Sequence, residues 1–391
     1  MRRLWRPVLD RIAPYDAGKP LELLSAELGL PALVRLSANE NPLGPSPAVV
    51  AAIERDAPRV HLYPDGGSHA LRDALGRRLG LAPDQIVIGN GADELLGLIA
   101  WAAFDPGDEV VVPQPSFEPY TTVVTLTGAE VRQSPLAGYE MDLDDMLRRV
   151  TARTKAVILC SPHNPATTIV REGPLTRFLA ALGDDPPLVV LDEAYRDFVD
   201  DPDYPDGVSL LARFPRLLVL RTFSKIAGLA GLRVGYVLGG ADAMDRLNRA
   251  RAPYNVNRLG QVAALAALED REHRERTREV VLEERRFLTT ELGKRGAPRR
   301  HHRARRRWRR VPGPPADLDR AQGDERAPAR SAGPRAVAAR PAPRSRPTSD
   351  GRTRKIGTAP PDFHGTMLPC SREESIWSAS SSCSASSRSL A

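Results

Sequence analysis

The chain carries only three cysteines among 391 residues, Cys160, Cys370 and Cys383. They are too widely spaced for a disulfide framework or a zinc site, so a reducing, cytoplasmic setting is expected. No apolar run approaches the roughly 20 residues that a membrane helix needs. The N-terminus, Met1-Arg2-Arg3-Leu4-Trp5-Arg6-Pro7, has charge but no apolar segment behind it, which argues against an export signal. Walker A, G-x-S-x-G, H-E-x-x-H and paired C-x-x-C patterns are missing, no internal repeat is visible, and no metal site is expected. A uniform basic character is missing too. The net charge of +7 arises in residues 298–391, which hold 20 Lys+Arg against 8 Asp+Glu; residues 1–297 hold 36 against 41. A mildly acidic body is not that of a nucleic-acid binder.

What is present is a globular composition, 41% apolar and 27% charged, in a chain long enough for two packed domains. Short runs at 85–88, 109–112, 156–160, 188–191, 217–220 and 234–238 are rich in Val, Ile and Leu and apolar on both faces, as buried strands of a mostly parallel sheet are. Helical patterns lie between them, for example at 94–104, with Leu95, Leu98, Ile99 and Ala102 on one stripe, and at 174–182. The alternation predicts a three-layer α/β domain over residues 45–250. Residues 1–44 read as an N-terminal arm belonging to a smaller domain. Residues 251–297 read as a helical connection into that domain, within a helical passage that begins at Ala241.

At Pro298 this grammar stops. Residues 299–310 hold eight Arg, two His and one Trp, and Pro, Ala, Arg and Ser dominate the remainder. Irregular or disordered chain is expected there. A reading-frame shift in a GC-rich gene accounts for such an abrupt change. It ranks ahead of a natural disordered extension, and a nucleic-acid-binding tail with Trp308 stacking on a base ranks last.

The segment Arg221-Thr222-Phe223-Ser224-Lys225 leaves one apolar run, and Arg233-Val234-Gly235 enters another. Alone, a Ser-Lys pair would read as a surface lysine. At the end of a buried strand, a partly desolvated Lys225 can form a Schiff base, while Ser224 and Arg233 hold a dianionic phosphate. Leu191-Asp192-Glu193-Ala194-Tyr195 places an acid at the end of another buried strand, where it can keep a pyridine nitrogen protonated. Tyr195 shares its face if a helical turn follows. Ser161-Pro162-His163-Asn164-Pro165 offers Asn164 to a ring hydroxyl, although Asn-Pro is otherwise simply a turn. Gly89-Asn90-Gly91-Ala92-Asp93-Glu94 joins a strand to a helix and so forms an anion site. Glu94 stands where a dinucleotide fingerprint has its third glycine, which weakens a Rossmann reading.

These motifs together resemble the fold-type-I, pyridoxal-phosphate-dependent aminotransferases. More narrowly, Leu36-Ser37-Ala38-Asn39-Glu40-Asn41-Pro42-Leu43-Gly44-Pro45, Tyr63-Pro64-Asp65 and Pro253-Tyr254-Asn255-Val256-Asn257 resemble the histidinol-phosphate aminotransferases, over about residues 10–295. The resemblance implies a large αβα domain with a mixed, mostly parallel sheet and a small α+β domain, incomplete here. It implies pyridoxal 5'-phosphate as cofactor and amino transfer between histidinol phosphate and 2-oxoglutarate in histidine biosynthesis. By it, Lys225 is the Schiff-base lysine, Asp192 pairs with the ring nitrogen, and Asn164 and Tyr195 bind the ring oxygen. Gly91, Ala92, Asp93, Ser224 and Arg233 surround the phosphate. Phe117 stacks on the ring, and Tyr63 reaches the phosphate of a neighbouring subunit in a homodimer. The family's C-terminal substrate-binding arginine has no match; Arg352 and Arg354 lack the flanking apolar pattern. Rival readings are an aromatic amino-acid aminotransferase on the same scaffold and a non-catalytic protein with a nucleic-acid-binding tail.

Overall fold

A computed structural model describes residues 4–295, apart from 16–17, 30–32 and 34–35. The expectations for residues 298–391 therefore lie outside the described residues. A 3-10 turn at Pro7–Arg11 and helices α1 (Leu21–Leu28), α2 (Pro47–Asp56) and α3 (His69–Leu79) precede the sheet. There follow β1 (Ile86–Gly89), α4 (Ala92–Ala103), β2 (Glu109–Gln114), α5 (Pro119–Thr127), β3 (Glu130–Pro135) and α6 (Leu143–Arg148). Next come β4 (Thr154–Cys160), α7 (Glu172–Ala181), β5 (Leu188–Asp192), α8 (Gly207–Leu210), β6 (Leu217–Thr222) and β7 (Gly235–Leu238). The described chain closes with α9 (Ala241–Ala250), α10 (Arg258–Glu269) and α11 (Arg271–Lys294).

The strands form one sheet in the order β1-β7-β6-β5-β4-β2-β3. Only β7 runs against its neighbours; the other pairings are parallel, so six strands point their carboxyl ends the same way. Period-2 alternation divides the core in two. Ile86, Ile88, Val111, Val157, Leu159, Val189, Leu191 and Val219 face one layer, with Leu71 and Leu75 of α3. Val87, Val110, Val112, Ile158, Val190, Leu218 and Val237 face the other, with Leu95 and Leu98 of α4 and Met244 and Leu247 of α9. Both faces of the sheet are covered, which is why its strands read as continuous apolar runs.

The six expected strands are present, and a seventh, β3, was not expected. It is an edge strand of sequence Glu-Val-Arg-Gln-Ser-Pro with only Ser134 fully buried, so it lacks the apolar signature of the central strands. Helix α4 starts at Ala92, two residues before the expected position. Asp93 and Glu94 thus lie in its first turn, where negative charge favours the helix dipole. Of the final helices, α9 packs on α4 and β1, and α10 packs on α2 and α3. α11 is a 24-residue helix with only Thr277 and Leu282 fully buried. Side-chain caps set several starts: Ser46 accepts from Val49 N, Asn257 from Gly260 N and Asp270 from His273 N.

Candidate active site

Register brings the candidate residues together. Cys160 of β4 lies beside Asp192 of β5, and Asp192 beside Leu220 of β6. Two residues further along, Thr222 of β6 pairs with Gly235 of β7, and Gly235 with Gly89 of β1. The loops carrying Gly91, Asn164, Tyr195 and Lys225 all leave the carboxyl ends of parallel strands, where open α/β sheets bind ligands.

Lys225 emerges just past β6 and is half-buried. Its Nζ donates to the carbonyls of Ala38 at 3.1 Å and Asn39 at 3.2 Å. Burial, and then the nearby Arg233 guanidinium, push its pKa below the ordinary lysine value. Its Nζ lies 5.5 Å from the centroid of the Tyr195 ring. The Tyr195 hydroxyl accepts a 3.0 Å hydrogen bond from Asn39 Nδ2. The segment around Asn39 is pinned across the lysine loop by Asn41, whose Nδ2 donates to the carbonyls of Lys225 and Ile226. Gly228 permits that contact: it adopts φ +69°, and a Cβ there would sit 2.4 Å from the Gly44 carbonyl oxygen. Asn39 and Asn41 were not expected as site residues. They lie in the turn-rich run 36–45 that carries part of the family resemblance, but no role was read for either.

Asp192 is 4% exposed at the end of β5. One oxygen accepts from the Tyr120 hydroxyl at 2.6 Å and the other from the Ala194 amide at 2.9 Å. Burial nevertheless pushes the carboxyl up to about 6. Phe117 meets Tyr120 edge to face, with ring centroids 5.4 Å apart. Asn164 follows β4 with its backbone N–H directed at Cys160 Sγ, 3.4 Å away. Ser116 Oγ and His163 Nε2 are buried without a hydrogen-bond partner among the described residues.

The anion end is built from three chain segments. Gly91, at φ +85°, precedes α4, so the first amides of that helix, at Ala92 and Asp93, face outward. The left-handed φ of Gly91 favours glycine, and a Cβ there would lie 2.6 Å from Arg233 Nη2, so the guanidinium would have to shift. Arg233 itself takes a left-handed backbone, φ +53°, and its Nη2 contacts Asp93 at 2.7 Å. Ser224 is 6% exposed, and its Oγ is hydrogen-bonded to Thr222 Oγ1 at 2.9 Å. A helix N-terminus, a hydroxyl and a guanidinium suit a dianionic phosphate. Glu94 is held away from that end, accepting from the Asn90 amide and from Asn255 Nδ2.

Tyr63 stands apart from this group. It is 77% exposed and stacks on Tyr254 at 4.6 Å. A buried ion pair also went unforeseen: Arg221 of β6, 3% exposed, meets Glu193, 1% exposed, at 2.7 Å. Asp206 approaches Arg221 to 3.2 Å, and the amide of Gly207 donates to Glu193. This pair ties the residue after Asp192 to the strand that leads to Lys225. No group of His, Cys, Asp and Glu side chains suited to a metal occurs among the described residues. Among them, too, no helix is long and apolar enough to cross a membrane.

Comparison with known proteins places this arrangement. The family model for aminotransferase class I and II matches residues 31–303, a span that contains every residue of the site. The histidinol-phosphate aminotransferase of Caldicellulosiruptor saccharolyticus is 42% identical over 277 residues, covering 71% of this chain and 77% of that one. That of Symbiobacterium thermophilum is 46% identical over 285 residues, covering 72% and 78%. Among solved structures, histidinol-phosphate aminotransferase from Sinorhizobium meliloti in complex with pyridoxal-5'-phosphate superposes with a TM-score of 0.70 at 30% identity, covering 76% and 79%. Aspartate aminotransferase from Thermotoga maritima, at 23% identity and a TM-score of 0.67, shares the fold. The chain belongs to the class I and II aminotransferases.

Proposed function

We propose that this chain is a transaminase that moves the amino group of L-histidinol phosphate to 2-oxoglutarate, giving imidazole acetol phosphate and glutamate. Pyridoxal 5'-phosphate is the cofactor. The observation that carries the reading is the convergence of Lys225, Asp192 and the Gly91–Arg233 anion end at the carboxyl ends of the strands, in a chain more than 40% identical to histidinol-phosphate aminotransferases. When bound, the cofactor supplies an aldehyde that an amine can engage and a ring that draws electrons from the substrate carbon.

The chain's own groups have separable tasks. Ser224, Arg233 and the amides of Ala92 and Asp93 bind the phosphate and so fix the position of the ring. Asp192, with both oxygens already oriented by hydrogen bonds, holds a proton on the ring nitrogen. Asn164 and Tyr195 orient the ring oxygen, and Phe117 covers one face. Lys225 Nζ, made less basic by burial, is the base that takes a proton from the substrate carbon and returns it to the cofactor carbon. Exposed Tyr63 reaches the phosphate site of a second copy, which makes the working unit a homodimer. Its place of action in this reading is the cytoplasm, the setting of amino-acid biosynthesis. The body is organised as an arm (1–44), a cofactor domain (45–250) and a helical connection (251–297), with an aberrant segment after it.

The test is to compare turnover of histidinol phosphate and phenylalanine, with 2-oxoglutarate as acceptor. Preference for histidinol phosphate is expected. A preference for phenylalanine would move the chain to the aromatic aminotransferases, and turnover of neither would remove the substrate assignment.

A further inference from the structure

Tyr120 takes no part in the reaction as derived above, yet it is the largest fully buried side chain of the cofactor domain, 0% exposed on α5. Besides a hydrogen bond shared with the neighbouring Cys160 thiol, its hydroxyl donates the 2.6 Å hydrogen bond to Asp192 Oδ2. That is a short bond to an ionisable acceptor in a dry setting, where such bonds are strong. Its ring also packs edge to face against Phe117. One residue therefore touches both the acid proposed to pair with the ring nitrogen and the aromatic proposed to cover the ring.

We infer that Tyr120 is a positioning residue that keeps Asp192 ionised and aimed at the ring nitrogen. This inference rests on the transaminase reading for its functional meaning. The groups around the carboxyl have distinct effects. Burial opposes its charge, as do the nearby carboxyls of Asp93 and Glu193. The Tyr120 hydroxyl and the Ala194 amide favour the charge. Tyr195 and Lys225 also lie within its electrostatic reach. The Cys160 thiol, beside Asp192 in register, is pushed up to about 12 and stays neutral. Tyr120 is itself held protonated by burial and by the Asp192 charge, so the proton of the shared bond stays on the phenol. Of the two donors, only Tyr120 is a side chain and can be removed without altering the backbone.

The experiment follows Asp192 directly. The full chain, carrying 13C at aspartate side-chain carboxyls, is titrated by NMR without and then with pyridoxal phosphate, and the Asp192 signal is assigned by its loss in Asp192→Asn. In Tyr120→Phe, which keeps the ring and removes only the hydroxyl, the cofactor-free midpoint should rise by about one pH unit or more, roughly a tenfold gain in proton affinity. In a chain with 3-fluorotyrosine at position 120, a more acidic donor, the midpoint should fall. A purely packing role would move neither in this opposed way. An unchanged midpoint in both, or a lower one in Tyr120→Phe, would overturn the inference. If Tyr120→Phe fails to fold, the fluorotyrosine chain decides. Added pyridoxal phosphate should keep Asp192 ionised to lower pH. Its having no effect would count against the cofactor reading while leaving the Tyr120 result standing.

Discussion

At the scale of single residues, Asp192 is where burial and function pull in opposite directions. Burial pushes its carboxyl up to about 6, against an ordinary value of 3.8. The folded state then holds a proton that the unfolded state has released, so stability falls as pH rises through that window. The loss amounts to about 2 kcal/mol between pH 4 and 7, from roughly 1.4 kcal/mol per unit of the shift, part of which lies below pH 4. Cofactor-free Asp192→Asn should lack this fall and be the more stable protein near neutral pH, as denaturant unfolding at the two pH values would reveal. The same substitution should lower turnover on the order of 10²–10⁴-fold, because an aligned charge in a dry site is worth a few kcal/mol. A stable but slow variant separates the two roles; a variant that unfolds with the wild-type pH dependence would refute the burial argument.

The site was unevenly legible at this scale. Asp192 announces itself by ending an apolar run, where a charged group is expensive without a purpose, and Lys225 by following another run within a few residues and being followed by Arg233. Tyr120, Asn39 and Asn41 do not. Their partners lie 72, 156 and 184 residues away in sequence, and only the folded sheet brings them close.

At the scale of elements, β4, β5 and β6 were readable because both faces are buried, whereas β3 was hidden by Glu130, Arg132, Gln133 and Pro135 at the sheet edge. The Arg221–Glu193 pair was hidden for a related reason: polar letters at strand ends look like the start of a loop. In the folded chain they lock the end of β5 to β6, next to Asp192 and ahead of the loop that carries Lys225. Arg221→Met should leave Glu193 charged and poorly compensated, at a cost of about 3–5 kcal/mol. Arg196, 3.3 Å from Glu193, holds that figure towards its lower end. Adding Glu193→Gln to Arg221→Met should recover part of the loss. Equal unfolding midpoints in the single and double variants would mean that the pair is not the unit that matters.

For the whole molecule, the central question is whether one chain completes its own site. Tyr63 and Tyr254 form an exposed aromatic pair, and the backbone carbonyl of Tyr63 accepts from Arg258. If it serves a neighbour, Tyr63→Ala and Lys225→Ala chains should each be weak alone. Mixed, they should regain roughly a quarter of wild-type activity, since half of random dimers are mixed and one site in each is intact. No recovery on mixing, with heterodimers demonstrated by tagged pull-down, would place Tyr63 outside the partner's site. The abrupt change of composition at Pro298 belongs to this scale too. Reading the gene in all three frames around codon 297 would reveal whether a family-like C-terminal sequence lies in another frame.

The most direct measurement is chemical trapping. The full chain is incubated with pyridoxal phosphate, reduced with borohydride, digested and mapped by mass spectrometry. The account requires a single phosphopyridoxyl adduct on the peptide containing Lys225, in a protein that turns yellow before reduction. It also requires that adduct to vanish in Lys225→Ala. An adduct of undiminished yield in that variant, or one mapped to a different lysine of the wild-type chain, would contradict it.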